Sequence, residues 1–181
     1  MTHSARAVTL LNQPVTDPNE HATAARKIID ANLYMVLGTA DDAGRPWASP
    51  VYFAVAGDRV SSPMARHSRN IVARPDIGIV IFDSGVPIGA GQGIYMVAVA
   101  EQVPDGELDR DIQIFSERSV AHGGRPFTRD DVSGDSGIRM YRAVVSEHTM
   151  LAKDGQPDHR VNVDLADHRS QGRRFSEPRG N

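Results

Sequence analysis

Hydrophobic and polar positions along this chain alternate in a way that predicts mostly strands, with a few helices between them. Residues 1–20 are polar, proline-punctuated and aperiodic, and predict a loose arm. EHATAARKIIDAN (20–32) places Ala24, Ile28 and Ala31 at i, i+4 and i+7, the repeat of a helix face. LYMVLGTA (33–40) is rich in apolar and β-forming residues, and the turn DDAGRP follows it. WASPVYFAVA (47–56) predicts a second strand, Gly57-Asp58 a hairpin turn, and RVSS a short return strand.

A helix is then predicted over 63–74, with Ser62 as its N-cap, Pro63 at its first position and Pro75 marking its end. DIGIVIFDS (76–84) reads as a buried strand, GVPIGAGQG (85–93) as a glycine-rich connection and GIYMVAVAEQV (93–103) as a long strand. The clearest amphipathic helix spans 105–123, with Leu108, Ile112 and Phe115 on one stripe. Residues 137–153 predict two strands or one bent strand, and the tail from Asp167 is polar and arginine-rich. Connections this tight favour antiparallel pairing, because parallel neighbours need crossovers of a dozen residues or more. The expected architecture is mainly β (α+β), a small barrel or curled antiparallel sheet with peripheral helices. One domain over 21–166 would carry the arm 1–20 and the tail 167–181 at its ends.

At 181 residues and 40% hydrophobic content the chain can bury a sizeable core as a single domain. A formal net charge of -3 gives no reason to expect nucleic acid as a partner. No apolar run approaches the roughly 20 residues that span a bilayer, and the first residues lack a signal-peptide core. A soluble, cytoplasmic protein is the expectation. Cysteine is absent, which excludes disulfides, thiolate nucleophiles and cysteine-ligated metals. Asp154, Asp158 and His159 lie close in sequence but sit in a turn without further ligands, so no metal site is expected.

Three stretches carry candidate chemistry. Ser61, Ser62, Arg66 and His67 bring hydroxyls and cationic groups together just before a helix, the donor set that a phosphate needs. The same residues also make an ordinary solvated helix face, and residue types alone do not separate the two. GAGQG (89–93) has the glycines of a dinucleotide fingerprint, but it leads into a strand instead of opening a helix, so that reading fails. In GRPWASPVYF (44–53), Pro50 cannot donate to a ladder, which predicts an edge or a bulge where small residues let a flat ligand reach the backbone.

Taken in order, GRPWASPVYF, a hairpin, SSPMARHSRNIVARPDIGIVIF and GQGIYMVAVAEQV resemble the pyridoxamine 5′-phosphate oxidase-like family, the flavin-binding split β-barrel group. The resemblance covers roughly residues 24–147, and its most telling part is His67, Asn70, Ile71 and Pro75 at their spacing. It implies a homodimer with FMN in a groove between subunits. Ser49, Pro50 and Val51 would then line the ring, Ser61, Ser62, Arg66 and His67 would hold the phosphate, and Gln92 would touch the ring from the partner subunit. It further implies an oxidoreductase that passes electrons through the flavin to a small molecule, with the reactive atom supplied by the cofactor and no catalytic triad required.

Two departures from the family pattern matter. His67 stands where the family usually has lysine; an unperturbed histidine titrates near about pH 6.5, so phosphate binding would weaken as pH rises. The return strand RVSS is short for the family, which leaves ladder partners missing. The family's C-terminal substrate signature has no counterpart, since Trp47 is the only tryptophan. Alternatives on the same fold are a deazaflavin in place of FMN, or a non-enzymatic flavin or haem carrier.

Overall fold

The computed structural model describes residues 17–56, 59–64 and 67–165, with residues 56 and 59–64 described by their backbone alone. The arm up to residue 16, the Gly57-Asp58 turn, Ala65, Arg66 and the tail from 166 lie outside the described residues. Among the described residues, eight strands and four helices follow in the order α1 (Pro18–Ala31), β1 (Tyr34–Ala40), β2 (Pro46–Tyr52), β3 (Ala54–Ala56), β4 (Arg59–Met64), α2 (Ser68–Ala73), β5 (Asp76–Phe82), β6 (Gly93–Gln102), α3 (Leu108–Ala121), α4 (Arg129–Val132), β7 (Arg139–Leu151) and β8 (Arg160–Asn162).

Every strand pairing is antiparallel, in the order β2-β1-β5-β6-β7-β4-β3, with β8 added against the far end of β7. The path begins on β2 and ends on β3, and these are one run of chain broken at Phe53, which is fully buried. β2 pairs with β1 and β3 with β4, so that run closes the sheet on itself. The result is an antiparallel split β-barrel with peripheral helices. β7 is long enough to serve two neighbours, pairing β4 through Arg139–Val144 and β8 through Thr149–Leu151. A shift in its register against β6, at Val97/Ala98, bends it between the two.

The strands alternate as a half-buried sheet must. Met35 and Leu37 of β1, Ile77, Ile79 and Ile81 of β5, and Ile94, Met96 and Ala98 of β6 all point inward and are buried. α1 closes this core with Ala22, Ala25 and Ile29. A smaller cluster lies under α3, where Leu108, Ile112 and Phe115 meet Ala54, Val132 and Met140.

Four sequence expectations change. The helix expected at 63–74 is split: residues 59–64 are strand, and helix begins only at Ser68, with His67 in the N-cap position in place of Ser62. β4 has a partner at all six positions on β7, including Pro63 against Met140, while β3 reaches only as far as Ser61. Pro63 thus has a strand on one side only, which suits a residue with no N–H to donate. The return strand is therefore longer than RVSS, and its partners come from β7, far along the chain. The buried stripe of α1 is Ala22, Ala25 and Ile29; Ala24 and Ile28 are only half-buried and Ala31 is exposed. Residues 47–56 form two strands broken at Phe53. The one bent strand expected as an alternative for 137–153 is what forms, as β7.

Candidate functional site

The open end of the barrel is built by β1, β2 and α2. Gly44 takes a left-handed φ of 79° in the tight turn between β1 and β2. Asp41 organises that turn: its Oδ1 accepts the backbone N–H groups of Ala43 (3.0 Å) and Arg45 (2.9 Å), and its Oδ2 accepts Arg45 Nε at 2.7 Å. The Arg45 backbone N–H and guanidinium hold the Asp41 carboxyl below its usual range. Arg74, just past α2, ties the helix to the turn by donating to the Asp42 carbonyl at 3.0 Å.

Alternation along β2 sends Trp47, Ser49 and Val51 to the side of α2, and Pro46, Ala48 and Pro50 outward, as their register against β1 requires. Trp47 Nε1 donates to Ser49 Oγ at 2.8 Å, and Ser49 Oγ meets His67 Nδ1 at 2.9 Å. Indole N–H is a donor only, so Ser49 accepts from it and can pass its own proton on to Nδ1. A neutral His67 then carries its hydrogen on Nε2; a protonated ring reverses the bond and donates Nδ1–H to Ser49. His67 is buried, at 8% exposure. One turn on, Asn70 Nδ2 donates to Thr39 Oγ1 of β1 at 2.9 Å. α2 is thus held to the barrel by one buried apolar residue, Ile71, and by polar links from His67 and Asn70.

β2 bonds to β1 on one side and has no strand partner along its other edge among the described residues, so part of its backbone over Ser49, Pro50 and Val51 is open for other contacts. On the outer face, Gly38 lies opposite Ala48 and Gly78. A Cβ at Gly38 would stand 3.3 Å from the Gly78 carbonyl oxygen, so glycine there permits the close strand approach.

Of the expected site residues, the structure brings Ser49, His67 and Asn70 together with β2's open edge at Pro50 and Val51. Arg66 lies outside the described residues, as do the side chains of Ser61 and Ser62, whose backbone runs in β4 toward this end of the barrel. Gln92 is not brought to the group within one chain. It precedes β6 beside the Phe82–Gly93 pair, roughly four residues or ~13 Å along the sheet from the level of Ser49. Thr39, which anchors Asn70, went unremarked in the sequence, and neither Trp47, which anchors Ser49, nor Arg69 was expected as a site residue. Thr39 and Trp47 sit opposite each other in the register, an arrangement only the pairing reveals. Among the described residues, no group of three or more His, Asp or Glu could hold a metal ion, and no helix is long and apolar enough to cross a membrane.

The family model described as pyridoxamine 5′-phosphate oxidase matches residues 22–148, most of the chain and all of this site. The chain belongs to the pyridoxamine 5′-phosphate oxidase family. No curated protein matches it significantly. Among solved structures, it is similar to a haem-binding protein from Mycobacterium smegmatis, with 20% identity and a TM-score of 0.60 over 81% of this chain and 58% of that one. It thus spans little more than half of that neighbour's length. HutZ, the haem storage protein from Vibrio cholerae, is 20% identical with a TM-score of 0.55, over 70% of this chain and 90% of that one. A FAD-binding protein from Mesorhizobium loti is 18% identical with a TM-score of 0.52, over 71% and 90% of the two chains. Such likeness establishes the family's fold.

Proposed function

We propose that the protein binds FMN as a homodimer and works as an oxidoreductase that passes electrons through the flavin to a small molecule. The observation that carries this reading is the Trp47–Ser49–His67 hydrogen-bonded chain, which joins the open edge of β2 to the start of α2. A flavin mononucleotide needs a strand edge for the heteroatoms of its ring and O–H or N–H donors for its phosphate. The residues present fit both needs. Ser49, Pro50 and Val51 offer backbone at an unpaired edge, and the Ser49–His67 pair lies next to the segment that carries Ser61, Ser62 and Arg66.

When bound, the isoalloxazine would supply a hydride acceptor and donor, and the protein would supply position and electrostatics. Ser49 would orient the His67 imidazole, and Trp47 would hold Ser49 in turn. The dimer would use the outer face of the sheet, where Val97, Val99 and Val144 stand 52%, 49% and 45% exposed on neighbouring strands. The same association would bring Gln92 of one subunit to the ring bound by the other.

The test is titration of the purified protein with FMN and with riboflavin, followed by flavin absorbance and calorimetry. FMN should bind at least tenfold more tightly than riboflavin, since charge-assisted bonds to the phosphate are worth about 1.5–3 kcal/mol, and a reduced nicotinamide should bleach the bound flavin. No flavin binding at all would overturn the reading. A deazaflavin bound in preference to FMN would keep the fold's chemistry and change the cofactor. A second reading, haem carriage, is favoured by the names of two structural neighbours. It predicts a Soret band on adding haemin to a protein that ignores FMN.

A further inference from the structure

We infer that the cavity between the β1–β2 turn and α2 binds an aromatic ligand bearing one carboxylate or phosphate, with its ring against Trp47 and its anion on Arg69. The cavity holds about 640 Å³, within the range of small-molecule sites, and its walls include Asp41, Arg45, Trp47, Arg69 and Asn70. Four charged side chains line it, and two of them cancel. Asp41 and Arg45 are paired at 2.7 Å. The Asp42 carboxylate accepts the Ala43 N–H at 2.9 Å. Arg69 makes no hydrogen bond or ion pair with any described residue, so its planar, permanently charged guanidinium is free to take an anion in two parallel bonds.

The ring's place follows from Trp47. Its indole lines the cavity, is 41% exposed and has its N–H bonded to Ser49, so a ligand there meets carbon surface of the ring. Across Pro46 and Trp47 lies a second, largely apolar cavity of about 550 Å³ over Gly38, Ala48 and Gly78, where nothing bulky blocks a flat group. The Asn70 amide nitrogen is held by Thr39, which leaves its Oδ1 as a neutral acceptor on the wall. Asp42 on the same rim repels a second negative charge, which favours a single carboxylate or phosphate over a polyphosphate. None of this uses a flavin. If the flavin reading also holds, the ligand sits beside Ser49 as a substrate would.

Trp47 is the chain's only tryptophan, so all tryptophan emission comes from a side chain that lines this cavity. Titration with benzoate and phenyl phosphate, with benzyl alcohol as an uncharged control, should give a saturable change for both anions at a Kd of about 1 mM or below, at least tenfold tighter than for the alcohol. Arg69→Gln should weaken the anions tenfold or more with an unchanged melting temperature, and Arg69→Lys should recover part of the loss. No saturable change with wild type, or equal affinity in Arg69→Gln, would overturn the proposal. Competitive displacement of phenyl phosphate by FMN would also overturn it, by making the cavity the flavin's own. A protein that binds phenyl phosphate but no FMN would uphold this site while the flavin reading fails.

Discussion

The two helices that follow a strand directly into the barrel's surface make opposite uses of their residues. α3 is 14 residues long and docks by an apolar stripe, with Phe115 edge-on to both Tyr52 (5.2 Å between ring centres) and Phe127 (4.9 Å). α2 is six residues long, buries only Ile71 among them, and reaches the barrel through His67–Ser49 and Asn70–Thr39. A long amphipathic helix contributes stability in proportion to the apolar surface it covers. A short one with polar contacts contributes little of that, and what it provides instead is precise placement of donors at the open end of the barrel. Binding groups gather where the core is thinnest.

That contrast can be broken from either side. Phe115→Ala should cost about 3–5 kcal/mol in urea unfolding, because the ring is fully buried and touches two other aromatics. The ligand affinities of the surviving folded protein should stay within twofold of wild type, and a collapse of affinity would show that the two regions are coupled. Asn70→Ala, at the other end, should cost only about 1 kcal/mol of stability, the net worth of one side-chain hydrogen bond. Its larger effect should be on FMN, with affinity falling several-fold as α2 loosens; a pure stability loss would remove α2 from the site. Ser49→Ala should change stability least, by less than about 1 kcal/mol, and should shift the emission of Trp47, whose N–H loses its partner. Unmoved fluorescence would mean the indole is held by something else.

A pH experiment sharpens the same comparison. The capping box of α4 depends on Asp131, whose carboxyl is held well below its usual range by the Arg125 guanidinium and by the N–H and hydroxyl of Thr128. Because its folded-state value is depressed, its stabilising contribution is complete above the ordinary carboxylate value of about 3.9 and is lost as pH falls through the lowered one. Protection of the Thr128 amide, corrected for intrinsic exchange, should therefore hold from neutral pH down to about 4 and decline below it. Asp131→Asn should abolish that decline and lower protection throughout. α2 has no such carboxylate at its start.

Much of the barrel was legible without coordinates. The strand expected at 76–84 is β5, the Leu108–Ile112–Phe115 stripe lies buried as its spacing demands, and Pro50 lies on an edge strand. These features rest on near neighbours in the chain, whose periodicity states which face is wet. Other features were not legible, for one reason. Pro63 belongs to a strand because Met140 pairs with it, and no local signal at 62–64 reports a partner 77 residues away. The α1 stripe is rotated by one position, with Ala22, Ala25 and Ile29 packed into the core of β1, β5 and β6, while Arg118 of α3 donates to the Ile29 and Asn32 carbonyls at 3.1 and 2.8 Å.

The sequence by itself determined the antiparallel class, the buried stripe of α3 and the absence of any thiol chemistry, since composition and short-range periodicity suffice for these. Tertiary structure alone decided where the second helix begins, that Ser49 meets His67, and that Arg69 faces a cavity walled by Trp47. Those outcomes depend on which distant strands pair and in what register, and a shift of one residue in β2 would turn Trp47 and Ser49 to the opposite face.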